Sequence, residues 1–324
     1  MARKQIFLSL FLFLFFFSPW VVNADNFPSR TIRIVVPFDP GGGTDIVSRA
    51  IAQKIGEYFK QSCVVDNRPG ANGNIGMEIV AKSIPDGYTL LITSSALAIN
   101  PSIYKNIGFD PLRDFMPITL ATMIPFILVT HVNLPVTNVK QIISLAKARP
   151  NELVYSSAGT GNATHLSMAL FEMMAKIKMT HVPYKGTGQA LADAMGGHVQ
   201  LMFGAIPSTM VGIKAKKLKV IAISSAKRSS VLPEIPTVSE EGLSGYELIS
   251  WYGALAPART PDILVSQLNR EMVHALRAIE VKTRLTQEGA DPVANTPEQF
   301  QEYLKRDIQK YSSIVSALNI QPEK

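Results

Sequence analysis

The sequence predicts an α/β fold with a parallel β-sheet, and three observations lead to this prediction. A short β-branched run, Ile34-Val35-Val36, is typical of a buried strand in a covered sheet. A glycine turn and an amphipathic helix follow it, and further strands alternate with helices at the spacing of βαβ units. The same strand–turn–helix plan recurs at 153–175 with different residues.

The first unit contains the most informative turn. Two prolines end the strand, and Gly41-Gly42-Gly43 permits a sharp turn of the backbone. Thr44 or Asp45 is then expected to cap a helix whose apolar residues recur every four positions, namely Val47, Ile51, Ile55 and Phe59. Free N–H groups and the helix dipole meet there, which favours an anion. Since no Gly-Lys-Ser/Thr follows, a carboxylate fits better than a phosphate, and a plain tight connection is the alternative interpretation.

The following segments continue the alternation. After the first helix we predict a strand at 63–65, a turn-rich loop at 67–76, a helix at 77–83 and a strand at 88–93. Further strands are predicted at 126–130, 153–155, 181–183, 200–203 and 219–224, with helices at 139–148, 166–175 and 189–196. Ligands of parallel sheets bind beyond the carboxyl ends of the strands, where the glycine turn and the loop at 93–97 would both lie.

The last part of the chain is predicted to be helical. One helix begins near 260–262, and a second follows a capping box, Thr296-Pro297-Glu298-Gln299. No strand is predicted after about residue 256, so these helices are expected to pack on the first domain.

Met1 to Ala24 is expected to be a cleaved signal peptide, with Arg3 and Lys4 before an apolar core and small residues before the cleavage point. An uncleaved anchor is the alternative. The remaining 300 residues suffice for two domains of ordinary size. Cys63 is the one cysteine of the chain, so it has no partner for an internal disulfide, and we expect it to be a small buried residue of a strand.

Composition argues against several classes of function. The net charge is +7, and the basic residues cluster at one place, Lys214 to Lys219. Such a cluster is typical of a solvated helix end and not of a nucleic-acid site. The five histidines do not have metal-ligand spacing, and the chain has no Gly-x-Ser-x-Gly elbow. We therefore expect no metal, no cofactor and no catalytic residue. His165 could act as a base beside a serine, although a hydrogen bond at a helix start or a ligand contact is the more ordinary role.

The binding free energies involved favour a site formed from two sides. A carboxylate at one helix N-terminus gains about 0.3–1 kcal/mol when exposed and up to about 2 when partly buried. Micromolar affinity requires about 8 kcal/mol after the cost of immobilising the ligand. Two small-residue turns on opposite domains, at 41–43 and 156–165, could supply this by closing over a ligand and excluding water.

Ordered sequence blocks resemble a known family over essentially the whole mature chain. They include PFDPGGGTD at 37–45, NRPGANGNIG at 67–76, SSAGTGNATHL at 156–166, HVPYKGTGQAL at 181–191 and WYGALAPARTP at 251–261. With these blocks the chain resembles the Bug family, the TctC-like extracytoplasmic substrate-binding proteins of tripartite tricarboxylate transporters.

The resemblance implies a two-domain periplasmic-binding-protein fold of the Venus flytrap, type II-like kind, with a ligand cleft between the domains. Domain I would comprise 25–127 and 252–324, and domain II 128–251. Carried over by position, the family's ligand-binding residues in domain I are Phe38, Gly41, Gly42, Thr44 and Asp45. In domain II they are Ser157, Gly159, Thr160, Asn162 and His165, with Ser95 and Tyr184 at the periphery.

Two positions depart from the family's pattern. Gly204-Ala205-Ile206 stands where relatives usually have Asp-Asn-Leu, and Arg259 replaces a small residue. The missing acidic side chain argues against a ligand with an amino group and favours an unaminated carboxylate.

The sequence thus predicts a periplasmic receptor that captures a small carboxylate and delivers it to a membrane permease of the tripartite tricarboxylate type. A ligand-reporting partner of a membrane sensor is the alternative, and an enzyme is a third reading that lacks a catalytic set. We expect a monomer, because this plan needs no second subunit to form its cleft.

Overall fold

The protein is described here from a computed structural model that covers residues 27–184, 186–287 and 289–317. The predicted signal peptide, 1–24, lies outside the described residues. Strands and helices alternate in the order β1 (Ile32–Val36), α1 (Gly43–Phe59), β2 (Cys63–Asn67), α2 (Asn74–Ala81), β3 (Thr89–Ser94), α3 (Ala96–Ile103), β4 (Phe115–His131), α4 (Val139–Ala148), β5 (Val154–Ser157) and α5 (Ala163–Ala175). The chain continues through β6 (Thr180–Pro183), α6 (Thr187–Gly196), β7 (Leu201–Ala205), α7 (Ile206–Lys214), β8 (Leu218–Ile223), β9 (Ile249–Pro257), α8 (Asp262–Arg277), α9 (Ile279–Gln287), β10 (Asp291–Pro292) and α10 (Pro297–Ala317).

The strands form a mixed sheet in the order β2-β1-β3-β9-β4-β7-β5-β6. β1 runs parallel to β2 and β3, and β5 runs parallel to β6 and β7, as the alternation predicted. The expectation of a parallel sheet is wrong in the middle, where β9 is antiparallel to β3 and β4, and β4 is antiparallel to β7 and β8. The reason is that β4 and β9 carry the chain across the sheet in opposite directions.

β4 is much longer than the predicted strand at 126–130. Its first part, Phe115 to Pro125, pairs with β9, and its second part, from Phe126 onward, pairs with β7 and β8. Pro117 and Pro125 lie inside it, and the register with β9 shifts after Pro117 and again after Leu120. Proline weakens the local signal of a strand, because it removes a donor from the ladder.

The predicted apolar faces form the core on one side of the sheet. Val47, Ile51 and Ile55 of α1 are buried, and they belong to one cluster with Leu264 and Leu268 of α8. Phe59 is only partly buried at the edge of the same cluster. The helix α8 therefore packs on the first unit, as expected.

α10 begins with the predicted capping box. The Gln299 N–H donates to the Thr296 hydroxyl over 3.3 Å, and the Thr296 N–H donates to Gln299 Oε1 over 3.1 Å. The helix packs on α3 and β4 and also contacts α5. The prediction of no strand after residue 256 is wrong, because β10 pairs antiparallel with β4 at Thr122 and Met123. β10 has two residues, one of them a proline, so it gives no periodic signal.

Cys63 begins β2 and is half-buried rather than fully buried, and desolvation raises the pKa of its thiol to about 12. In the described ranges, no helix combines the length and the apolar character needed to cross a bilayer.

Candidate functional site

A cavity of ≈ 370 Å³ opens where the carboxyl ends of β1, β3, β5 and β7 meet the helices that follow them. Side chains and backbone from both parallel portions of the sheet line it, together with β4 and β9. The lining residues are Phe38, Gly42, Thr44, Asn72, Ser94, Ser95, Ala96, Ile99, Phe126, Gly161, Asn162, Ala163, Thr164, Thr187, Ala205, Ser250 and Tyr252.

Helix N-termini dominate the wall of this cavity. Within the described chain, five helices begin there: α1 after Gly42, α3 after Ser95, α5 after Asn162, α6 at Thr187 and α7 after Ala205. The first N–H groups of a helix have no partner inside the helix, and the dipole makes that end positive. The cavity therefore gathers neutral hydrogen-bond donors and positive potential from two sides.

Most of these helix ends lack a side-chain cap. In α1, α3, α6 and α7, no described N-cap side chain accepts a hydrogen bond from the helix. Asn162 is the exception, since its Oδ1 accepts from the Thr164 N–H over 3.0 Å. The ends of α1 and α6 leave N–H groups available to an acceptor inside the cavity. At the start of α3 the Ala96 N–H instead donates to Ser94 Oγ over 3.3 Å, and in α7 the first-turn residue Pro207 has no N–H.

The lining is otherwise polar but uncharged. None of the described residues that line the cavity is Asp, Glu, Lys, Arg or His. Hydroxyl groups of Ser95 and Ser250 lie 3.0 Å apart across the wall, and Phe38, Ile99 and Phe126 supply apolar contact. The described lining residues would recognise an anion through N–H and O–H donors.

The glycine turn is fixed from behind by Asp45. The prediction that Thr44 or Asp45 caps α1 is wrong, because the N-cap is Gly42 and both residues lie in the first turn of the helix. Asp45 Oδ2 accepts from the Gly41 N–H and from Arg49 Nε, each at 2.9 Å. Asp45 thus forms an ion pair with Arg49, one turn further along the helix.

Asn67 completes this support. Its Nδ2 donates to Asp45 Oδ1 and to the Phe38 carbonyl, both over 3.0 Å, and its Oδ1 accepts from Arg49 over 3.0 Å. Burial would raise the pKa of Asp45, but the hydrogen bonds from Arg49, Gly41 and Asn67 outweigh it and lower the pKa below its usual value. Asp45 is therefore ionised at neutral pH, and its oxygens are engaged by the turn.

On the opposite side, two stacked histidines support the loop that precedes α5. The rings of His165 and His181 lie 4.0 Å apart with an interplanar angle of 11°. His165 Nδ1 accepts from the Gly161 N–H over 3.1 Å, and His181 Nε2 lies 2.7 Å from the Ser157 hydroxyl. Burial lowers the pKa of both histidines to about 4, and for His165 the neighbouring His181 adds to the effect. Both rings are neutral at pH 7.

The Ser157–His181 contact resembles a nucleophile and its base, yet its position argues for a structural role. Ser157 is fully buried and is not among the residues lining the cavity. Its hydroxyl also donates to the Gly159 carbonyl over 3.1 Å, which closes the turn. The Ser157 hydroxyl thus contacts His181, whereas His165 accepts from the Gly161 N–H.

The cavity includes some of the ligand-binding residues that the sequence predicted. Five of the twelve line it, namely Phe38, Gly42, Thr44, Ser95 and Asn162. The other seven lie outside the lining set: Gly41, Asp45, Ser157, Gly159, Thr160, His165 and Tyr184. Gly41 donates its N–H to Asp45, and Tyr184 donates its hydroxyl to Asp193, so these groups have partners within the protein.

Sequence reasoning missed several residues of the wall. Ser250 and Tyr252 lie on β9, far from the predicted loops in sequence. Asn72 lies in the turn-rich segment at 67–76 and Thr187 is the first residue of α6, and neither residue was assigned to the site. The tyrosine belongs to a recognised sequence block, WYGALAPARTP, which was the available signal. Within the described residues, no group of three or more His, Cys, Asp or Glu side chains could hold a metal ion.

Comparison with known proteins gives the family. The TctC model, the tripartite tricarboxylate transporter family receptor, matches residues 47–320. The solved periplasmic binding protein BugD is 32% identical, with a TM-score of 0.76, over 92% of this chain and 100% of that chain. Such a likeness at this identity confirms the two-domain periplasmic-binding-protein fold.

Two further solved structures contain ligands. Rpa4515 of R. palustris, solved with adipate, is 35% identical with a TM-score of 0.79, over 92% of this chain and 100% of that chain. MatC (Rpa3494) from Rhodopseudomonas palustris, solved with bound malate, is 31% identical with a TM-score of 0.73, over 89% of this chain and 100% of that chain. The chain therefore belongs to the family of tripartite tricarboxylate transporter receptors, as its Bug-like sequence blocks predicted.

Proposed function

We propose that this protein is a periplasmic receptor that captures a small carboxylate and delivers it to a membrane permease of the tripartite tricarboxylate type. The observation that carries the proposal is the cavity ringed by five helix N-termini, whose described lining residues carry no charge. Carboxylate oxygens are acceptors only, so they suit a wall that offers N–H and O–H donors. Relatives solved with adipate and malate support the same ligand class.

The ligand site would lie between two domains, one of 25–127 with 252–324 and one of 128–251. Strand pairing supports this division, because β4 pairs with β9 up to Pro125 and with β7 and β8 beyond it. The five predicted residues that line the cavity would contact the ligand. The seven others would position them, through contacts such as those of Asp45 and His165.

The proposal also covers export, oligomeric state and the chemistry of the ligand. The segment 1–24 would direct export and be removed, and the mature protein would act as a monomer without metal, cofactor or catalytic turnover. An unaminated ligand is favoured, because the lining residue Ala205 and its described neighbours in the wall provide no carboxylate for an ammonium group.

The test is a thermal-shift screen of the mature protein against mono-, di- and tricarboxylates and amino acids. A ligand at about 100 times its dissociation constant stabilises the folded state by about 2.7 kcal/mol, which raises the Tm by about 5 °C or more. We expect such a shift with carboxylates that lack an amino group. A shift confined to amino acids, or none with protein shown by mass spectrometry to be ligand-free, would contradict the proposal.

A further inference from the structure

Directly behind the glycine turn lies a buried negative charge. Asp45 is in the first turn of α1 and has a relative exposure of 3%. Its neighbours Gly42 and Thr44 line the cavity, so the carboxylate is at the helix end that faces the ligand site. This places a fixed anion close to the position proposed for an anionic ligand.

Such a charge works against ligand binding in two ways. An acidic side chain in the first turn is itself stabilised by the helix dipole, and it offsets the positive potential that a ligand carboxylate would use. It also repels that carboxylate directly, and the repulsion is strong where water is excluded. A buried aspartate therefore needs compensation if the site is to bind anions.

Arg49 provides this compensation. Its Nε donates to Asp45 Oδ2 over 2.9 Å, and its Nη2 donates to Asn67 Oδ1 over 3.0 Å. Among the described residues, it is the cation that forms an ion pair with Asp45. Arg49 is not among the residues that line the cavity, so it would act on a ligand through Asp45.

We propose that Arg49 is a positioning residue for carboxylate binding, which neutralises Asp45 behind the glycine turn and so makes α1 available to an anionic ligand. The proposal rests on the proposed function and assigns a role to a residue outside the cavity. It also explains how a site with no cation among its described lining residues can tolerate a carboxylate as its structural support.

Three variants separate charge from structure, with adipate and malate as probes in calorimetric titrations. Arg49→Gln leaves Asp45 uncompensated, and we expect binding to weaken about tenfold or more. Arg49→Lys keeps the charge but not the fork that reaches Asn67, and we expect affinity within about threefold of the original. Asp45→Asn with Arg49→Gln removes both charges, and we expect affinity to return to within about threefold.

Arg113→Gln is the matched control, because it removes the same charge from an exposed pair with Asp114. It should leave binding unchanged, and melting curves establish that each variant is folded. Equal affinity of Arg49→Gln and the unsubstituted protein would overturn the inference, as would a double variant as weak as Arg49→Gln. Absence of binding of every mono-, di- and tricarboxylate by the unsubstituted protein would instead reject the proposed function and this inference together.

Discussion

Asn162 both caps a helix and lines the cavity. Its Oδ1 accepts from the Thr164 N–H over 3.0 Å and from the Thr164 hydroxyl over 3.2 Å. The same side chain belongs to the cavity wall. Replacement by alanine would remove both roles at once, at a cost of about 1 kcal/mol for the cap alone. A variant that keeps the cap is therefore more informative.

Asn162→Asp is predicted to weaken carboxylate binding without destabilising the protein. Aspartate caps a helix about as well as asparagine and favours the positive helix end. In the cavity, however, it adds a negative charge next to the proposed carboxylate ligand, so we expect affinity for carboxylates to fall about tenfold or more. Calorimetric titration measures the affinity, and denaturant unfolding measures the stability.

Asn138→Asp is the matched control for this prediction. Asn138 caps α4 by accepting from the Gln141 N–H over 2.9 Å, and it is not a lining residue of the cavity. The same chemical change there should leave affinity unaltered. Asn162→Asp protein that binds carboxylates as tightly as the control would show that the charge at the start of α5 does not face the ligand.

At the level of elements, the loop that leads into α5 depends on buried neutral histidines. Gly161 lines the cavity, and its N–H donates to His165 Nδ1, which must be unprotonated to accept. His181 stacks on His165 and contacts Ser157 at the start of the same loop. Protonation of either ring would place a charge in a buried stack and disturb the loop.

This arrangement predicts that stability falls as the pH is lowered from about 6.5 to about 4. The folded-state pKa of both histidines is about 4, below the ordinary value of 6.5. Between these two values the unfolded state binds more protons than the folded state. The free energy of unfolding is therefore highest above about pH 6.5, and it falls as the pH is lowered to about 4. Each pKa unit is worth about 1.4 kcal/mol.

Urea unfolding between pH 7.5 and 4.5 tests this prediction. His181→Gln removes one of the two groups, so its free energy of unfolding should depend less steeply on pH than that of the unsubstituted protein. His198→Gln serves as the control, because His198 is exposed and lies outside the stack. Identical pH profiles for all three proteins would contradict the assignment.

On the scale of the whole molecule, β4 and β9 connect the two portions of the sheet and also border the cavity. Phe126 of β4 and Ser250 and Tyr252 of β9 are lining residues. Between them, Trp251 is fully buried, and its Nε1 donates to Asp307 of α10 over 2.8 Å. The crossing strands are thus fixed to α10 on the side away from the cavity wall.

The alternation of strands and helices could be predicted because it depends on local patterns. Val47, Ile51 and Ile55 mark one face of α1, and the box at Thr296 to Gln299 marks the start of α10. The glycine turn and the loop before α5 could be located for the same reason, since both follow a strand, and Gly42 and Asn162 from them line the cavity. These signals need no knowledge of distant partners.

Other parts of the fold and of the candidate site depend on contacts between distant segments, so local sequence patterns could not predict them. The first part of β4 contains Pro117 and Pro125, and only its ladder with β9 makes it a strand. α3 contains Pro101, which obscured a helix whose start at Ser95 borders the cavity. Hydrogen bonds decide which polar side chains face the cavity and which support the glycine turn. Asp45 illustrates this, because its carboxylate accepts from Gly41 and Arg49.

The central claim is that backbone N–H groups at converging helix N-termini bind a carboxylate. The most direct measurement is an NMR titration of the isotope-labelled mature protein with adipate and malate, followed through its backbone amides. We predict the largest amide shifts at 43–45 and 163–165, with little change in α4. Largest shifts instead at Gln53, Lys54 and Glu280, which line a shallow pocket between α1 and α9, would contradict the account.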